Sequence, residues 1–130
     1  MAVAQSEALA AKSARLLEER KADDIVVLQV EPLTSIADYF VIATGRNQRQ
    51  LRAMATQLRE GVGRLGIRPL GTEGTAEAGW ILVDLGDVIV HLFDPARRVL
   101  YDLEVLWGDA PVLNWAEVCP SDGARQQEAP

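Results

Sequence analysis

Trp80-Ile81-Leu82-Val83-Asp84-Leu85-Gly86-Asp87-Val88-Ile89-Val90-His91-Leu92-Phe93 contains two β-rich runs joined by two residues. Branched and aromatic side chains favour a pleated backbone, and a two-residue linker with Gly first suits a tight hairpin turn. Pairing the runs about Gly86-Asp87 sets Leu85 opposite Val88 and Asp84 opposite Ile89. Side chains alternate along a strand, so one face carries Ile81, Val83, Leu85, Val88, Val90 and Leu92. That face is wholly aliphatic and must meet helices. The opposite face carries Trp80, Leu82, Asp84, Ile89, His91 and Phe93. Its mixed character calls for cover by the C-terminal segment or by a partner.

The flanking sequence supplies the rest of a layered fold. Leu51, Met54, Ala55, Leu58, Val62 and Leu65 recur at helical spacing, and this predicts a helix over 48–65 with Asn47 as its cap and Gly66 as its stop. Arg46, Arg49, Arg52, Arg59 and Arg64 mostly lie off that stripe. Before it, Asp24–Val30 is apolar on both faces, as a covered strand is, and Tyr39–Thr44 is a second strand closed by Gly45. Residues 6–20 read as a helix, with Ser6 placed to cap it. Between the long helix and the hairpin, a short strand is expected near Arg68–Leu70, then a flexible polar loop from Gly71 to Gly79.

After the hairpin, Asp94-Pro95 is a helix start, with a capping carboxylate followed by Pro in the first turn. Val99, Leu100, Leu103, Leu106 and Trp107 form its apolar stripe, with a break near Asp102 and a stop at Gly108. Val112, Leu113 and Trp115 are expected to pack on the body. The order predicts an α/β fold: one mixed sheet of four or five strands flanked by helices. The domain spans residues 1–118, and 119–130 is expected to be a polar, disordered tail.

Composition bounds the function. The chain has 130 residues, one domain's worth, with 48% hydrophobic and 25% charged residues. No apolar run reaches the roughly 20 residues needed to span a bilayer. The N-terminus lacks a basic segment followed by an apolar one, and the single Cys119 has no partner in the chain. These features point to a cytoplasmic protein without membrane contact. The net charge of −6 suits a basic protein partner, and bare RNA is expected to repel the chain at long range.

The hairpin run, continued by Arg98-Val99-Leu100-Tyr101-Asp102-Leu103-Glu104-Val105-Leu106-Trp107, resembles the signature of the ribosomal silencing (Iojap-type) factors. Ser35-Ile-Ala-Asp38-Tyr39-Phe40-Val-Ile-Ala-Thr44-Gly45 is similar to that family's early strand motif, and Pro69-Leu-Gly71-Thr-Glu73-Gly74 to its loop motif. Together the matches cover residues 6–115 in order. The resemblance implies a nucleotidyltransferase-like α/β sandwich. It implies a translational repressor that binds ribosomal protein fourteen of the large (50S) subunit and blocks joining of the small subunit when nutrients are scarce. It also implies a homodimer in the free state and, for organellar relatives, a role in large-subunit assembly; little or no direct nucleic-acid binding is expected from the net charge.

Seven residues are candidates for the partner surface: Trp80, Leu82, Asp84, Asp87, His91, Tyr101 and Glu104. Trp80 is the candidate anchor, because aromatic anchors often dominate interface energy. A core under the C-terminal segment is the competing explanation, and the resemblance favours function for Trp80 and Asp84. Asp87 is explained equally well by turn chemistry. The lone His91 lacks an obvious nucleophile, and Asp38 either orients it or caps a turn. Tyr101 and Glu104 share a helical face, and Glu104 is the candidate to meet a cation on a basic partner. Arg97 and Arg98 need a carboxylate that the sequence alone does not identify. No catalytic residue, metal site or cofactor is expected. Thr44-Gly45-Arg46-Asn47 precedes a helix but lacks the Gly-Lys-Ser/Thr of a phosphate loop. A degenerate nucleotidyltransferase is the enzymatic alternative, resting on fold alone.

Overall fold

The computed structural model describes residues 3–121. Helix α1 spans Val3–Glu18, strand β1 Asp23–Gln29, β2 Tyr39–Thr44 and helix α2 Gln48–Gly63. Strands β3 (Gly71–Thr75), β4 (Trp80–Asp84) and β5 (Val88–Phe93) follow, then helices α3 (Pro95–Tyr101), α4 (Leu103–Leu106) and α5 (Trp115–Val118). The sheet order is β1-β2-β5-β4-β3. Only the β2–β5 pairing is parallel, so the sheet is mixed, with five strands. The expected fold class therefore holds.

The hairpin register is the expected one, with Asp84 opposite Ile89 and the Leu85 N–H donating to the Val88 carbonyl at 2.9 Å. Gly86 takes φ +94° in the turn, a region that disfavours side chains. The aliphatic face of the hairpin joins Val27, Tyr39, Val41 and Ala43 under α1 and α2. Leu51, Met54, Leu58 and Val62 of α2 are fully buried there, and Asn47 Oδ1 accepts the Gln50 N–H as cap. A second, smaller core on the other sheet face gathers Leu28, Val30, Phe40, Ile42, Phe93 and Ala110, with Leu103 and Trp107 lying over it.

Several expectations are corrected. The strand before the hairpin is Gly71–Thr75, not Arg68–Leu70. Its Gly-Thr-Glu-Gly-Thr sequence has no apolar alternation because every residue of this edge strand is exposed. Gly74, at φ +79°, lies so close to Trp80 that a Cβ would stand 2.2 Å from the Trp80 carbonyl oxygen and 2.5 Å from its ring. Ser6 does not cap α1; the helix starts earlier, and the buried Ser6 hydroxyl donates to Asp38 Oδ2 at 2.6 Å. Asp38 thus orients a serine, not His91.

The C-terminal stripe is also split. The break falls at Asp102, which takes the left-handed region at φ 47°. Only Leu103 and Trp107 reach the sheet, while Val99, Leu100 and Leu106 are 71–78% exposed. Residues 111–113 run along the free edge of β1: the Gln29 N–H donates to the Pro111 carbonyl and the Leu113 N–H to Val27. Leu113 and Trp115 pack on the main core, whereas Val112 points outward, 71% exposed. Cys119, placed by the sequence at the head of a tail, is buried, and its carbonyl accepts two N–H groups from Arg15. The remainder of that expected tail, 122–130, lies outside the described residues.

Candidate functional site

The mixed hairpin face is half covered. Cross-strand pairing places Trp80 beside Phe93 and Leu82 beside His91, all on the side away from α1 and α2. Helix α3 leaves β5 at the Asp94-Pro95 cap, where Asp94 Oδ1 accepts the Arg97 N–H at 2.8 Å. It returns the chain over this face at Tyr101 and Leu103. The result is a concavity of about 280 Å³ lined by Trp80, Leu82, His91, Phe93, Tyr101 and Leu103.

Aromatic contacts set its floor and wall. Trp107 meets Phe40 edge-on at 5.2 Å, and Phe40 meets His91 edge-on at 5.1 Å. His91 stacks on Phe93 at 6.1 Å, and Phe93 stacks on Tyr101 at 5.5 Å. Such pairs prefer these offset and edge geometries because ring faces are negative and ring edges positive. His91 is accordingly part of an apolar stack. Its Nε2 is buried without a hydrogen-bond partner. Burial pushes its pKa down to about 4, because a charged imidazole would lose its hydration there. The ring is therefore neutral at pH 7 and contributes shape rather than charge.

A rim of bare hydrocarbon adjoins the concavity. Val99, Leu100, Tyr101, Val105 and Leu106 are 52–78% exposed on one short stretch of chain. Exposed apolar side chains grouped this closely along the chain are a candidate interaction surface, because leaving them in water is unfavourable. The arrangement offers shape and apolar area to a partner.

Of the seven residues singled out in the sequence, Trp80, Leu82, His91 and Tyr101 come together here. Asp84 lies on the same sheet face four residues along β4 from Trp80, opposite Ile89, and its Oδ1 accepts the Gly86 N–H at 2.8 Å, holding the turn. Asp87 is the second residue of the turn, and its carbonyl accepts the N–H groups of Asp38 and Tyr39, tying the hairpin to β2. Glu104 is engaged within the chain. Its carboxylate receives Arg98 Nε at 2.9 Å and Nη2 at 3.2 Å. Arg98, half-buried among these groups, also donates to the Thr44 hydroxyl and the Asp24 carbonyl. Glu104 lines a different concavity, with Asp24, Val26 and Asp102. Phe93 belongs to the mixed face expected from the sequence but not to the seven candidates, Leu103 is an addition, and Leu100 and Leu106 of the expected apolar stripe are exposed. The break at Asp102 was the available signal: a helix reset by a left-handed residue cannot keep one continuous stripe. No group of three or more His, Cys, Asp or Glu suited to a metal ion occurs among the described residues. No described helix is long and apolar enough to cross a membrane.

Comparison with known proteins gives a consistent result. The family model described as "Ribosomal silencing factor during starvation" matches residues 3–130. A ribosomal silencing factor of Bacillus subtilis is 42% identical over 102 residues, covering 78% of this chain and 86% of the relative. A mouse protein named "Mitochondrial assembly of ribosomal large subunit protein 1" is 39% identical over 95 residues, covering 71% of this chain and 42% of its own length. A crystal structure of a Chromobacterium violaceum protein superposes with a TM-score of 0.76 at 36% identity, covering 83% of this chain and 88% of that one.

Proposed function

The chain belongs to the ribosomal silencing factor family, and from that premise we propose that it binds the large ribosomal subunit at ribosomal protein fourteen and keeps the small subunit from joining. The observation that carries the site is the aromatic concavity with its exposed leucine rim. A protein partner that inserts an apolar side chain against Trp80 and covers Leu100 and Leu106 removes this surface from water, at roughly 25 cal/mol per Å². A patch of about 800 Å² is the usual requirement on each side. The mechanism needs no chemistry. A body roughly 30 Å across leaves no room for a direct contact between subunits at the same place. Translation falls in proportion to occupancy, which suits a response to scarce nutrients.

Co-sedimentation tests this. The chain is expected to migrate with large subunits in a sucrose gradient and to reduce formation of joined ribosomes. Material that stays at the top of the gradient at saturating concentration would end the proposal. A second reading, large-subunit assembly, draws on the name of the mouse relative. It uses the same docking surface and differs in when the surface is occupied. The exposed rim also favours a homodimer in the free state, since a second copy is one way to cover hydrocarbon.

A further inference from the structure

The charge of this molecule is unevenly placed. Residues 46–68 hold six arginines against one acid, Glu60, a net of +5, which leaves −11 for the rest of a chain whose total is −6. Three of these arginines, Arg49, Arg52 and Arg59, ride on α2, and Arg64 is its C-cap residue. At about 100° per residue, the buried Leu51, Met54, Leu58 and Val62 occupy one side of the helix, while Arg49, Arg52, Arg59 and Arg64 fan over the opposite side. The row spans about 22 Å of helix axis. Arg52 pairs with Glu77. Among the described residues, Arg49, Arg59, Arg64 and Arg68 have no carboxylate partner although acids outnumber bases in the chain. The row lies on the α1–α2 side of the sheet, the side away from the aromatic concavity.

We infer that the arginine row of α2 is a second contact surface, one that grips the phosphate backbone of ribosomal RNA while the aromatic face holds protein. The inference rests on the large-subunit docking proposed above. Guanidinium groups match phosphate oxygens in pairs, and they remain charged at any physiological pH. A fan of guanidinium groups along one exposed helix side suits a polyanion of closely spaced charges better than a folded acidic protein, whose carboxylates are scattered. The acidic remainder of the chain does not cancel this attraction. At physiological ionic strength charges are screened over about 8 Å, so the row acts on what it touches and the opposite face acts elsewhere. RNA repulsion, expected from net charge, thus holds for the average surface and fails locally at α2. Two faces of opposite character orient the molecule, because only one pose satisfies both.

The test uses full-length chain and purified large subunits from 50 to 200 mM salt. It compares the native protein with a triple variant, Arg49→Gln, Arg59→Gln and Arg64→Gln, whose changes lie on exposed positions. Each phosphate contact contributes about 0.7–0.9 to the slope of log affinity on log salt. The triple variant should therefore flatten that slope by two to three. Its disadvantage at 50 mM should shrink by about 20- to 40-fold at 200 mM. Its affinity for isolated ribosomal protein fourteen should equal that of the native chain, which also verifies folding. An unchanged slope with native-like subunit binding overturns the inference and leaves the docking proposal standing. Equal losses on the isolated ribosomal protein would make the row a protein contact and likewise overturn it. Failure of the native chain to bind subunits at all would remove both.

Discussion

His91 illustrates how one position serves a surface through shape. It is the chain's single histidine, packed between Phe40 and Phe93 with its Nε2 unbonded. Its folded-state pKa of about 4 lies below the ordinary 6.5, because burial penalises the charged ring. The unfolded chain therefore binds the proton more tightly. Stability contributed at neutral pH is retained above 6.5 and lost as pH falls from about 6.5 to about 4, on the order of 2–3 kcal/mol in total. Urea midpoints of the native chain and of His91→Gln across that window should converge toward low pH, since the variant lacks the titrating group; parallel curves would show an ordinary histidine. Trp80 is the complementary case. It is half-buried, so Trp80→Ala should cost about 1–2 kcal/mol of folding, less than the 3–5 of a fully buried Trp, and leave a cooperative melt. Affinity for large subunits should fall about thirtyfold, the effect of some 2 kcal/mol at an interface anchor. A variant that melts without cooperativity would place Trp80 in the core.

At the scale of elements, α3 and α4 are too short to be stable alone, and they bury no residue fully. What fixes them is Arg98. Its guanidinium holds Glu104 across the break at Asp102 and reaches the Thr44 hydroxyl on β2 and the Asp24 carbonyl on β1. The Arg98 side chain is 10% exposed and that of Glu104 39%, so the two ends of the pair count differently. Arg98→Ala removes the donor to the buried Thr44 hydroxyl and to the half-buried Glu104 carboxylate and should destabilise by about 1–2 kcal/mol. Glu104→Gln, at the exposed end, should cost under about 1 kcal/mol. Hydrogen exchange should speed up over residues 95–107 in the first variant well before the sheet is affected; uniform loss of protection would mean that the pair supports the whole fold. The same anchor explains why Glu104, a candidate for a partner's cation in the sequence, is committed inside the chain. An arginine six residues earlier carries no pairing signal in a broken helix, because the break changes which positions face each other.

At the scale of the whole molecule, the two sheet faces divide the work. One is buried under α1 and α2, whose outer surface carries the arginines; the other is covered only in part and keeps its hydrocarbon exposed. If a second copy and the ribosome compete for that hydrocarbon, a lysine at Leu100 or Leu106 should disturb both. The double variant Leu100→Lys, Leu106→Lys is expected to keep its melting temperature within the few degrees that about 0.5 kcal/mol represents. It should also lose self-association in a light-scattering dilution series and lose large-subunit binding. Loss of one without the other would assign the rim to a single partner.

The strands, the hairpin register, the cap at Asn47 and the break at Asp102 were legible in the amino-acid sequence, because each depends on alternation, helical period or turn chemistry within a few residues. The aliphatic face of the hairpin was legible for the same reason. Gly71–Thr75 was not, since an edge strand exposed on both sides shows no apolar alternation; its pairing comes from β4, not from its own side chains. Nor could the chain order alone show which of Val99, Leu100, Leu103, Leu106 and Trp107 would be covered. That depended on where α3 leaves the sheet and how Arg98 ties it down, contacts between residues as far apart as Asp24, Thr44 and Arg98. Local patterns specify elements. Only the packed fold chooses which apolar surface is spent on the core and which is left for a partner.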